Sequence, residues 1–82
     1  MNNKEIFEQI KHILSDVFKI ELEKINYELN MGDVDEWDSL THLILIMNIE
    51  EKMSVKFDME NIGKLKSISA IIDEINKKLN NK

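Results

Sequence analysis

Apolar residues recur at intervals of three and four near the start of the chain, at Ile6, Phe7, Ile10, Ile13, Leu14, Val17 and Phe18. That spacing lays one apolar stripe along a helix, so residues 4–18 are predicted as an amphipathic helix. The same rhythm returns at Ile68, Ile71, Ile72, Ile75 and Leu79. It predicts a last helix over residues 67–79, with Ser67 as its cap. A third helix is expected over residues 39–53, opened by Asp38 or Ser39. Its apolar positions (Leu40, Leu43, Ile44, Leu45, Ile46, Met47, Ile49 and Met53) cover more than one face. A small domain cannot bury all of them, so part of this helix is expected to be an exposed apolar patch facing a partner.

Residues 20–38 have no such rhythm. Ile20, Leu22, Ile25, Tyr27, Leu29 and Met31 are scattered, and Asn26, Asn30 and Gly32 bring turn chemistry. The segment is expected to be a long loop pinned by its apolar residues, with a helical turn near residues 21–25. Between the last two helices, residues 59–63 are expected to form one short helix. The stripes predict a core of Ile6, Ile10, Val17, Leu43, Leu45, Met53, Phe57, Ile68, Ile72 and Ile75.

Composition narrows this picture. The chain has 82 residues and no Cys. It is expected to form one domain over residues 1–82. A domain of this size buries only about 60% of the surface its unfolded chain exposes. Disulfides and thiolate zinc sites, the usual reinforcements, are excluded. With no Pro and two Gly, helices around one core are favoured. The net charge of −5 argues against a nucleic-acid binder. No apolar run approaches the roughly 20 residues that cross a bilayer, and the N-terminus lacks a signal-peptide pattern. A cytoplasmic, monomeric protein is expected, with no membrane association.

Charge is unevenly placed. Residues 1–38 hold 4 Lys against 10 Asp and Glu, a net −6, whereas residues 39–82 hold 7 Lys against 6 acids, a net +1. Glu28, Asp33, Asp35, Glu36 and Asp38 gather just before the second long helix, with no base among them.

Catalysis finds little support. A reactive site needs an activated nucleophile or a matched acid and base. There is no Cys and no Gly-x-Ser-x-Gly turn. His12 reads as a partly exposed structural residue and His42 as a surface residue of its helix. His42 lies one turn after Ser39, but no third group completes a triad. A calcium loop counted from Asp33 fails, because its fifth, sixth and twelfth positions are Trp37, Asp38 and Ile44. No catalytic and no metal-ligating residues are assigned. What remains is Asp38-Ser39-Leu40 at an exposed helix N-terminus, whose partial positive charge favours a phosphate attached to Ser39.

Here the sequence resembles the acyl carrier protein family. Asp38-Ser39-Leu40 matches the family's attachment motif. The likeness runs without gaps to about Asn76, through Met47, Glu50, Glu51, Lys64, Ala70, Ile72, Asp73 and Ile75. The N-terminal half is similar more loosely, by helix length and the long loop. The resemblance implies an all-α, right-handed four-helix bundle with a long first loop and one short third helix. It implies a 4′-phosphopantetheine arm, covalently linked to Ser39 and donated by coenzyme A through a phosphopantetheinyl transferase. The thiol then arrives with the cofactor, in a chain that lacks Cys. Asp38 and Leu40 flank the attachment point.

Position-matching assigns Leu40, Leu43, Ile44, Met47, Glu50 and Glu51 to partner contact. The implied partners are acyl- or aminoacyl-loading and acyl-transfer enzymes with basic docking surfaces, which the two acids would steer. The implied role is to carry acyl thioesters for fatty-acid-like or specialised biosynthesis. A peptidyl or aminoacyl carrier and a plain helical interaction module are the alternatives. Thr41 and Ile44 stand where members in fatty-acid synthesis usually have acids. Asp35-Glu36-Trp37 precede the serine where a Gly-containing loop is usual, and a Trp immediately before Asp38-Ser39-Leu40 resembles stand-alone carriers of specialised pathways and some peptidyl carriers. These departures point to a dedicated partner with a more apolar docking surface. In the family a cleft beside the second helix can shelter the acyl chain.

Overall fold

The structure is a computed structural model that describes residues 2–80. Asn2 opens the first helix, its side-chain oxygen accepting the Glu5 N–H at 2.9 Å. The helix, α1, runs Asn3–Phe18 and buries Ile6, Ile10, Ile13, Leu14 and Phe18. These are five of the seven predicted stripe positions; Phe7 and Val17 are half-buried at its edges. The expectation of Val17 in the core is therefore corrected: it flanks the stripe, and Phe18 fills the place instead. Lys19 ends α1 in the left-handed region at φ 58°.

Residues 20–38 are held by local polar bonds rather than by periodic packing. A 3-10 turn spans Leu22–Lys24 and another spans Met31–Asp33. The Asn26 side chain accepts the Glu28 N–H at 2.9 Å. The Asn30 side chain accepts the Gly32 N–H, and the Asp33 carboxylate accepts the Asn30 N–H. Two backbone bonds fasten the loop to the chain entering the last helix: Met31 N–H to the Lys66 carbonyl (2.7 Å) and Ile68 N–H to the Leu29 carbonyl (3.0 Å). Ile25 and Trp37 anchor the loop in the core.

The second long helix, α2, runs Ser39–Met53. Its buried residues are His42, Leu45, Ile46, Ile49 and Met53, a stripe with spacings of three and four. A short helix, α3, runs Met59–Ile62 and ends at Gly63. The last helix, α4, runs Ile68–Asn80, with Ile68, Ile71, Ile72 and Ile75 fully buried. The Ser67 hydroxyl accepts the Ala70 N–H at 3.2 Å, as a cap does. α1 packs against both α2 and α4. Val55, Phe57 and Leu65 close the core from the α2–α4 connection. The fold is all-α, four helices with no strand among the described residues, and no helix is long and apolar enough to cross a membrane.

Two expectations for α2 are corrected. Leu43, expected in the core, is 45% exposed, and His42, expected on the surface, is only 4% exposed. The helix carries two stripes of similar spacing, 42/45/46/49/53 and 40/43/44/47. Only one of them can face α1. The stripe that turns inward begins with the imidazole.

Candidate functional site

Ser39 is the first residue of α2, and its cap is Asp38. The Asp38 backbone is extended (φ −107°, ψ −173°), and its carboxylate accepts the Thr41 N–H at 2.9 Å. In return the Thr41 hydroxyl oxygen accepts the Asp38 N–H at 2.9 Å. The one hydroxyl proton of Thr41 has two acceptors in reach, the Glu36 carbonyl with Oγ1···O 2.5 Å and the Asp38 carboxylate at 3.0 Å. This is a reciprocal capping box, with Thr in the place where an acid or amide usually reaches back. Capping by Asp38 leaves the exposed Ser39 hydroxyl outside the box, at the positive end of a 15-residue helix. The Thr41 backbone N–H first, and then its hydroxyl, hold the Asp38 carboxyl below the ordinary 3.8.

One turn further on, the His42 ring joins three parts of the chain. Its Nδ1 accepts the Trp37 indole N–H at 2.9 Å. Nδ1 must then be unprotonated, so Nε2–H donates to the Ile62 carbonyl of α3, also at 2.9 Å. Trp37 is 2% exposed and packs on Phe18 of α1, with ring centroids 5.4 Å apart. The indole is thus buried with its one polar atom satisfied. Both His42 nitrogens are committed, and the ring has none to offer Ser39 as a base. The pairing of Trp37 with His42 was missed in the sequence. The available signal was a His standing as the first member of an apolar stripe, five residues after the only Trp.

Ser39 opens onto a cleft of about 360 Å³ between α2 and α3, lined chiefly by Met31, His42, Leu43, Met59 and Ile62. A larger groove of about 600 Å³ lies at the far end of α2, by Met53, Val55, Lys77 and Lys78, and does not touch Ser39.

The second α2 stripe faces solvent. Leu40 is 69% and Met47 66% exposed, with Leu43 and Ile44 between them also exposed. Spacings of three and four put these four on one face, so the structure brings together the apolar residues assigned to partner contact. The two acids part company. Glu51 is exposed, whereas the half-buried Glu50 accepts the Phe57 N–H at 2.9 Å and fastens the chain beyond α2. No group of acids, His or Cys suited to a metal ion occurs among the described residues.

No family model matches the chain. It is 35% identical over 79 residues to an acyl carrier protein of Thermosynechococcus vestitus, covering 96% of this chain and 98% of that one. It is 38% identical over 78 residues to an acyl carrier protein of Buchnera aphidicola subsp. Schizaphis graminum, covering 95% and 96%. Among solved structures, the fold is similar to that of the acyl carrier protein from Enterococcus faecalis. The TM-score is 0.72 at 22% identity, over 95% of this chain and 99% of that one.

The capping box gives a pH signature. A carboxyl whose folded value is depressed stabilises the fold above its unfolded value and loses that contribution as pH falls through the folded one. Far-UV circular dichroism melts of wild type and Asp38→Asn, run from neutral pH to below 3.8, test this. The variant should lack part of the wild-type acid decline in Tm. Equal declines would show that the Asp38 charge does not hold the cap.

Proposed function

Since the chain belongs to the acyl carrier protein family, we propose that Ser39 is the attachment point of its 4′-phosphopantetheine arm. The arm is donated by coenzyme A through a separate phosphopantetheinyl transferase. When bound, it supplies a terminal thiol that holds an acyl group as a thioester. The protein is a carrier and not an enzyme. It presents acyl intermediates to cytoplasmic enzymes of fatty-acid-like or specialised biosynthesis. The relatives are acyl carriers by name, so a peptidyl carrier or a plain interaction module is not favoured.

One observation carries the reading. The Ser39 hydroxyl is exposed at the N-terminus of α2 while its neighbour Asp38 does the capping. A phosphodiester there meets the positive end of the helix. The residues fit the arm in two further ways. The cleft beside Ser39 leaves room for it, and a chain without Cys needs a thiol from outside. Asp38 and Leu40 hold and flank the attachment point.

Partner enzymes, in this proposal, dock on the exposed stripe of Leu40, Leu43, Ile44 and Met47. Exposed side chains at the centre of such a patch carry most of the affinity, while charge steers the encounter. Glu51 is the steering acid for basic partner surfaces. Glu50 serves the fold first, through Phe57.

Two experiments test this. Apo protein is incubated with coenzyme A and a broad-specificity phosphopantetheinyl transferase, and its intact mass is recorded. Wild type should gain the arm and Ser39→Ala should not. An unmodified wild type, or a modified variant, would overturn the carrier reading. For the surface, Ile44→Glu should weaken binding to the physiological transfer enzyme by about tenfold, with the melting temperature kept. Unchanged binding would refute the apolar docking face.

A further inference from the structure

We propose that the cleft beside Ser39 admits short acyl groups and excludes long alkyl chains, because His42 gives it a polar floor. The proposal rests on the reading of Ser39 as the attachment point and names the cargo class that this site takes.

A cargo entering from Ser39 first meets apolar walls, Leu43 on α2 and Met59 and Ile62 on α3. Leu43 and Met59 are exposed and Ile62 is half-buried. Among the residues that line the cleft, His42 alone is buried, so the imidazole forms its inner end. The Nε2–H bond to the Ile62 carbonyl crosses from α2 to α3 and ties the two walls together. Behind the ring, Nδ1 is held by the Trp37 indole, and Trp37 is backed by Phe18. The two ring nitrogens point to opposite sides, so one side chain bars the way in and grips what lies behind it.

A long chain pushing past His42 from this cleft would part α2 from α3 at this bond. The imidazole N–H and the Ile62 carbonyl would then be buried without partners, and a hydrocarbon offers none. One such unmade bond disfavours the inserted state by about tenfold or more. Displacing the ring would also strand the indole N–H of Trp37. A short acyl group meets none of these costs. It gains apolar contact with Leu43 and Met59 and stops above the bond.

The test loads apo protein by the transferase from acetyl-, butyryl-, octanoyl- and dodecanoyl-coenzyme A. Each thioester is cleaved with hydroxylamine, and its rate is divided by that of the matching acyl-coenzyme A. The Trp37 indole N–H resonance and the Leu43 and Met59 methyl resonances are followed alongside. Octanoyl and dodecanoyl arms should cleave at their free ratio and leave the indole resonance in place, while the butyryl arm shifts the methyl signals. His42→Leu should shelter the longer chains and slow their cleavage about tenfold. If that variant fails to fold, the wild-type series decides by itself. A wild-type octanoyl arm protected about tenfold, with the indole resonance displaced, would overturn this proposal and leave the carrier reading intact. Failure of wild type to load at all would overturn the carrier reading instead.

Discussion

The hydrogen-bonded line from the Trp37 indole through the His42 ring to the Ile62 carbonyl organises the end of the molecule where Ser39 lies. Each member comes from a different part of the chain: the acidic loop, α2 and α3. α3 is four residues long and exposes Met59, so it has little apolar area of its own to hold it. The imidazole supplies a directional bond where the core supplies little burial. Every polar atom in the line has a partner, which is the condition under which a buried polar network strengthens a fold instead of weakening it. The same line seats Trp37 on Phe18, so the loop that leads into Asp38 and Ser39 is fixed against α1.

From that anchor the division of labour on α2 follows. The stripe that begins at His42 turns toward α1, which leaves the Leu40–Leu43–Ile44–Met47 stripe to solvent. The reciprocal bonds of Asp38 and Thr41 complete the helix start without using Ser39. A carrier needs this separation. In the proposed reading, the exposed Ser39 bears the cargo and the exposed stripe beside it meets the partners. The acidic loop gathers Glu28, Asp33, Asp35, Glu36 and Asp38 just before the start of α2.

Much of the architecture was legible as periodicity. α1 and α4 each carry one clean stripe, and their buried residues lie on it, with Val17 left at the edge of the first. The Ser67 cap and the Asp38–Ser39 helix start were also legible, because capping depends on residue type at one position. α2 was harder. Two stripes of equal spacing compete on it, and the inward one opens with a residue whose polarity argued for the surface. His42 is buried because of a hydrogen-bond partner five residues before it and another on α3, which no periodicity encodes. Leu43 was drawn into the expected core for the complementary reason: its apolarity says nothing about which stripe wins. The loop could be foreseen only as a loop, since it is fixed by Asn30, by Asp33 and by backbone bonds to Lys66 and Ile68 across the fold. Ser39 was singled out by its motif and its setting, whereas the closing of Glu50 onto Phe57 needed the tertiary structure.

The most direct test of this account is the tautomer of His42, read by long-range 1H–15N NMR of the imidazole together with hydrogen exchange of the Trp37 indole. One ring form is expected, with Nδ1 bare and accepting from the indole, Nε2 protonated, and an indole N–H that exchanges slowly. A protonated Nδ1 with bare Nε2, or a ring averaging between forms beside a rapidly exchanging indole, would contradict it.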